Sequence, residues 1–145
     1  MRPINEMKLV FPARSVNESF ARQAAAVFAA QLDPTMDELN DIKTIVSEAV
    51  TNCIVHAYPD SLGLIRMRCL IYSDGRFETV IADSGVGIAD LSKAREPMFT
   101  TGGAERSGMG FTIMESFADK FSVRSRAGKG TTVRFIKRIT PRRDK

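Results

Sequence analysis

Along this chain the spacing of apolar positions alternates between that of a strand and that of a helix. Residues 7–13 are apolar enough for a first strand. Ser15 and Glu18 follow in the S-x-x-E spacing of a capping box, and Phe20, Ala24, Val27, Phe28 and Gln31 then fall on one side of a helix, with Arg22 pointing elsewhere. Asp33 and Pro34 supply a helix cap and a proline at the first helical position. The helix they open can run to about Tyr58, because Ile42, Ile45, Val46, Ala49, Val50, Cys53 and Ala57 form one stripe at helical spacing. At about 100° per residue, Glu48, Asn52 and His56 make a second row along the edge of that stripe. An edge position, neither fully buried nor fully exposed, suits the wall of a cleft.

Residues 64–82 switch to alternation: Ile65, Met67, Cys69 and Ile71 face one way, and Arg66 and Arg68 the other. A Ser73-Asp74-Gly75 turn reverses the chain into Phe77, Thr79 and Ile81. Two later strands, 121–126 and 131–138, have the same half-buried character, and the arginines on their polar side imply a sheet with one wet face. Between the hairpin and those strands the pattern predicts a short helix near 89–95, a Gly- and Thr-containing loop over 97–107, and a helix after Gly110 whose apolar face is Phe111, Met114, Phe117 and Ala118. The fold class expected is α/β: a two-layer α/β sandwich, with a mixed, mostly antiparallel sheet and helices on one face.

Composition narrows the picture without changing it. The 145 residues, 43% hydrophobic and 26% charged, fit one domain over 1–138 with a basic tail at 139–145. The longest apolar run, 24–30, is too short to span a bilayer, and no signal-peptide core opens the chain, so a cytoplasmic protein is expected. Cys53 and Cys69 lie among apolar neighbours without metal-ligand spacing and read as buried thiols. The formal charge of +4 is concentrated at the end, where Arg134, Lys137, Arg138, Arg142, Arg143 and Lys145 stand against Asp144. A short basic tail without interleaved aromatics reads as a solvated end, and no direct nucleic-acid partner is expected.

Three short segments carry chemistry. Glu48 and Asn52 are one helical turn apart, so both side chains reach the same volume outside the helix. A carboxamide oxygen is a good ligand for Mg²⁺, and a carboxylate there could accept a proton from a hydroxyl or water aimed at a phosphoryl group. Asp83 ends an alternating strand and is followed by Gly85 and Gly87, which permit close backbone approach to a ligand; its carboxylate could accept a hydrogen bond from an exocyclic amine such as that of adenine. Gly108 and Gly110 precede a helix whose bare N–H groups suit phosphate, and Arg106 stands within reach of a terminal phosphate. Taken singly, these segments also read as a solvated Glu with a helix-interior Asn, a strand-terminating turn and a flexible loop, and Arg106 as a surface charge. Gly128-Lys129 is followed by Gly130 instead of Ser or Thr, so it is no Walker A loop; Asp90 and Ile113 interrupt G-x-G-x-x-G.

In combination, the order Glu-x-x-x-Asn, Asp-x-Gly-x-Gly, Gly-x-Gly resembles the ATP-binding domain shared by gyrase, the Hsp90 chaperone, histidine kinases and MutL. Stretches such as Asn17-Glu18-Ser19-Phe20-Ala21-Arg22, Ser47-Glu48-Ala49-Val50-Thr51-Asn52 and Glu105-Arg106-Ser107-Gly108-Met109-Gly110-Phe111 are similar to the bacterial anti-sigma serine kinases, above all the sporulation anti-sigma F branch. The resemblance implies ATP and Mg²⁺ as cofactors, with Asn52 holding the metal, Glu48 as general base, and Asp83 reading the adenine amine with support from Thr131. It implies that Gly85, Gly87, Gly108 and Gly110 shape the pocket, that 97–107 form a lid whose Arg106 stabilises the γ-phosphate, and that Arg22 lies on the partner-binding face. The activity implied is phosphorylation of a serine on an anti-anti-sigma protein by a homodimer that also sequesters a sigma factor, with no membrane partner. An ATP-gated binding module without catalysis, and a stress-response (sigma-B type) kinase, share the same motifs. The phosphoacceptor helices of a sensor kinase are absent, so His56 is not expected to be phosphorylated.

Overall fold

The computed structural model describes residues 1–58, 62–87 and 110–141. The predicted helix near 89–95, the loop over 97–107, Arg106 and Gly108 lie outside the described residues. Five strands form one sheet in the order β1-β2-β3-β5-β4: β1 (Asn5–Pro12), β2 (Leu64–Ile71), β3 (Arg76–Asp83), β4 (Lys120–Arg126) and β5 (Gly130–Arg138). Each of the four pairings is antiparallel. Alternation along the strands turns Ile65, Met67, Cys69, Ile71, Phe77, Thr79, Ile81, Val133 and Phe135 into the core, while Arg66, Arg68 and Arg134 stand on the open face. This is the two-layer α/β sandwich the alternation predicts, with α1 (Val16–Ala29), α2 (Met36–Asn52) and α3 (Gly110–Phe117) as the helical layer. No helix among the described residues is long and apolar enough to cross a membrane.

Helix α2 lies as its stripe predicts: Ile42, Ile45, Val46, Ala49, Val50, Cys53 and Ala57 are all buried. Its start differs. Asp33 takes a left-handed conformation (φ 56°) ahead of Pro34, and the cap is Thr35, whose hydroxyl accepts from Glu38 N–H at 3.1 Å while Glu38 Oε1 accepts from Thr35 N–H at 2.8 Å. This T-x-x-E box satisfies two helix-end donors at once, which Asp33 two residues upstream cannot. Glu38 also accepts from Thr140 N–H, and Lys137 pairs with Asp41 at 2.8 Å, so the helix start is tied to the last strand.

Helix α1 differs more. Ser15 already has helical φ and ψ and its side chain makes no cap hydrogen bond; Glu18 instead pairs with Arg22 at 3.1 Å. The buried stripe is Ala21, Ala25, Ala26 and Ala29, whereas Phe20 is 55% and Val27 73% exposed, with Ala24 and Phe28 half-buried between them. The predicted apolar side is therefore the outer flank. Because α1 packs directly on α2, the seam takes small side chains that let the backbones approach, and the bulky residues are displaced outward. Phe117, expected on the core face of α3, is likewise exposed, and Phe111 and Met114 carry the contact.

Candidate functional site

The site is built where the end of α2 meets the end of β3 and the start of α3. After Asn52 the helix widens into a π-turn, Cys53–Ala57, a local loosening that α-helices concentrate at functional positions. The turn leaves the Ala57 carbonyl to accept from Val86 N–H at 2.8 Å, and the Val86 carbonyl accepts from Gly128 N–H at 2.6 Å. The glycine turn after β3 is thereby held between α2 and the β4–β5 hairpin. Space is the reason for glycine here: a Cβ on Gly85 would lie 2.1 Å from the Ala57 carbonyl oxygen. One on Gly87, at φ +74°, would lie 1.8 Å from that of Arg126.

Glu48 and Asn52 are half-buried on the edge of α2, as their spacing predicts, with His56 a turn further on. The third segment reaches the same place. A Cβ added to Gly110 would sit 3.1 Å from Asn52 Nδ2, 3.3 Å from Asn52 Oδ1 and 3.3 Å from Glu48 Oε2. The bare Cα that opens α3 thus faces both polar side chains, which are separated from it by no other element.

Asp83 is 5% exposed at the end of β3. Its Oδ1 accepts from Gly85 N–H at 2.9 Å and from Thr131 N–H at 3.2 Å, and Cys53 Sγ–H donates to Oδ2 at 3.4 Å. Thr131 supports the carboxylate through its backbone, while its hydroxyl bonds Ser125 Oγ at 2.7 Å. Burial, and then the charge of Asp83, push the Cys53 thiol well above its ordinary pKa, so it stays protonated and available as a donor through the neutral range. Both cysteines are free and buried.

Tyr58 completes the frame and has no signal in the motif reading. Its hydroxyl accepts from Ser84 N–H at 2.8 Å and donates to the Leu64 carbonyl at 2.7 Å, pinning the residue after Asp83 to the start of β2. The sequence hint was Gly63, where a Cβ would fall 2.1 Å from the Tyr58 ring. Cys53, read from sequence only as a buried thiol, is a direct partner of Asp83 for the same reason: the contact spans 30 residues and has no local pattern. Arg22 is on α1, which supplies none of these side chains.

A Mg²⁺–nucleotide fits the chemistry of these donors. Asn52 and Glu48 lie so close to the start of α3 that a Cβ on Gly110 would crowd both, which puts a carboxamide oxygen and a carboxylate side by side, and Mg²⁺ takes few protein ligands, completing its shell with phosphate oxygens and water. Among the described residues no group of three His, Cys, Asp or Glu side chains forms an all-protein cage.

Residues 11–137 match the family model of the histidine kinase-like ATPase domain. The anti-sigma F factor of Caldanaerobacter subterraneus subsp. tengcongensis is 54% identical over 136 residues, covering 93% of this chain and 94% of that one. That of Geobacillus kaustophilus is 57% identical over 136 residues, covering 93% of both. Among solved structures, the RsbU and RsbW domains of a Mycobacterium tuberculosis protein superpose with a TM-score of 0.68 at 18% identity, over 94% of this chain and 32% of that one. The mycobacterial sensor histidine kinase MprB gives 0.58 at 15% identity, over 94% and 99%. At these identities the two structures bear on the fold alone. The 54–57% identity over nearly the full length of both chains bears on more than the fold: this chain belongs to the anti-sigma F factors, a branch of the histidine kinase-like ATPase domain family.

Proposed function

We propose that this protein is an anti-sigma factor that sequesters a sporulation sigma factor of the sigma-F type and, as an ATP-dependent serine kinase, phosphorylates and inactivates an anti-anti-sigma protein. The observation that carries the reading is the convergence at Gly110, where the Glu48 carboxylate and the Asn52 carboxamide meet the start of α3 within 3.3 Å of one point. A phosphoryl-transfer site needs chiefly positioning and charge neutralisation, and a base near the acceptor hydroxyl. Asn52 would hold Mg²⁺, which when bound neutralises phosphate charge. Glu48 would take the proton of the serine hydroxyl as its oxygen bonds the γ-phosphorus and the bond to the bridging oxygen of ADP breaks. Asp83 would accept the adenine amine, with Gly85 and Gly87 letting the turn beside it pack against the Ala57 and Arg126 carbonyls, Gly108 and Gly110 shaping the phosphate side, and Arg106 stabilising the γ-phosphate.

Partner contacts belong on α1. Its outer flank, Phe20, Ala24, Val27 and Phe28, makes an apolar groove with Met7 of β1, and β1 is an edge strand whose outer hydrogen-bonding groups pair with no other described strand. An exposed apolar flank beside an open edge supports a homodimer through this side. Arg22 lies on a different flank, paired with Glu18 and bonded to Ser19 Oγ, where it would meet a second protein.

Incubation with ATP, Mg²⁺ and the cognate anti-anti-sigma protein should give phosphoserine on that protein, and Glu48→Gln should suppress it. Absence of transfer with intact nucleotide-dependent sigma capture would overturn the kinase assignment and leave a nucleotide-gated binding module.

A further inference from the structure

We infer that Cys53 is a positioning residue for base recognition: its thiol donates to Asp83 Oδ2 and fixes the carboxylate so that the remaining acceptor site of that oxygen meets the exocyclic amine of an adenine. The inference rests on the reading of Asp83 as the adenine-contacting group. A carboxylate oxygen accepts about two hydrogen bonds. Oδ1 of Asp83 already has two, from Gly85 and Thr131, so Oδ2 is the oxygen left to read a ligand, and the thiol is its described partner. The bonds from Gly85 and Thr131 hold one end of the carboxylate and the thiol, at 3.4 Å, holds the other, so turning the group about Cβ–Cγ would break contacts at both oxygens.

The choice of a thiol matters chemically. A lysine or arginine at this position would form a charge-assisted bond and draw Oδ2 away from a neutral amine donor. A protonated thiol is a weak, uncharged donor that orients the oxygen and leaves it its negative charge. Cys53 also follows Asn52 directly and opens the π-turn, so one turn of backbone sets the residue for the metal and the brace for the base. The Ala57 carbonyl, at the far end of the same turn, holds Val86 beside Asp83.

The test compares dissociation constants for ATP and for purine riboside 5′-triphosphate, which lacks the amine, across the wild type, Cys53→Ala, Cys53→Val and Cys53→Ser. The wild type should prefer ATP, Cys53→Ala and Cys53→Val should lose most of that preference, and Cys53→Ser, which keeps a donor, should retain it. Val preserves apolar volume, so it decides the matter where the Ala variant fails to fold. Equal weakening of both nucleotides in the Ala and Val variants, with their ratio unchanged, would overturn the positioning role and leave Cys53 as packing. A wild type that does not distinguish the two nucleotides would overturn the reading of Asp83 itself, and the inference with it.

Discussion

Helices α1 and α2 pack on one another and on the same sheet, yet they leave opposite kinds of residue outside. Helix α2 buries large aliphatic side chains, Ile42, Ile45, Val46 and Val50, and keeps Glu48, Asn52 and His56 on its half-buried edge. Helix α1 buries only alanines and leaves Phe20 and Val27 in solvent. On the proposed function, the contrast separates two tasks. An edge of polar groups backed by rigid aliphatic packing holds a small ligand at fixed geometry, and an outward apolar flank backed by a close small-residue seam suits a protein partner. Loading one helix with both would place the partner surface over the cleft.

The sharpest way to test that division is Glu48→Gln, which should lower kcat for phosphotransfer by about 10²–10⁴-fold with ATP affinity retained, the loss of a general base; parallel kinetics and calorimetry separate the two quantities. Next in size is a pH effect in the shared core. Burial raises Cys69 from 9.0 to about 11, so the folded thiol stays protonated after the unfolded one ionises. Stability should be full below about pH 9 and fall by on the order of 3 kcal/mol as pH climbs to about 11. Urea unfolding across that range should show the decline, and Cys69→Val should flatten it; Cys53 adds to the slope with the same sign. Overfilling the seam with Ala25→Leu should cost about 1–3 kcal/mol by thermal or urea unfolding, because that side chain is fully buried where α1 packs on α2. Two residues on, Val27→Glu should change stability by less than about 0.5 kcal/mol while converting the proposed dimer to a monomer in sedimentation. If Val27→Glu unfolds the protein and Ala25→Leu does not, the assignment of the two faces of α1 is inverted.

How far the sequence discloses this arrangement depends on how local each signal is. The stripe of α2, the alternation of β2 and β3 and the turn at Ser73-Asp74-Gly75 are repeated within a few residues, and all stand in the structure. The face of α1 is not legible the same way, because hydrophobic size points to Phe20 and Val27 whereas the packing distance to α2 selects alanine. The helix start at Thr35 stands in the sequence as T-x-x-E, two residues past the more conspicuous Asp33-Pro34. Within the candidate site the spacing of Glu48 and Asn52 could be read directly. The partners of Asp83 carry no local pattern: Thr131, 48 residues away, is reached only through the family resemblance, and Cys53, 30 residues away, shows as a partner only once β3 and the π-turn are assembled.

On the proposed function, the edge of α2 and the turn after β3 form one adenine-nucleotide pocket, independent of the outer flank of α1. Calorimetric ATP binding to the wild type, Asp83→Asn and Val27→Glu tests it most directly. Asp83→Asn keeps an oxygen for Gly85 and Thr131 but turns an amide toward the base, so its Kd should rise by roughly 10- to 100-fold, the scale of a lost hydrogen bond to a charged group. Val27→Glu should bind ATP as the wild type does. Undiminished binding by Asp83→Asn, or loss of binding in Val27→Glu, would rule out such a pocket.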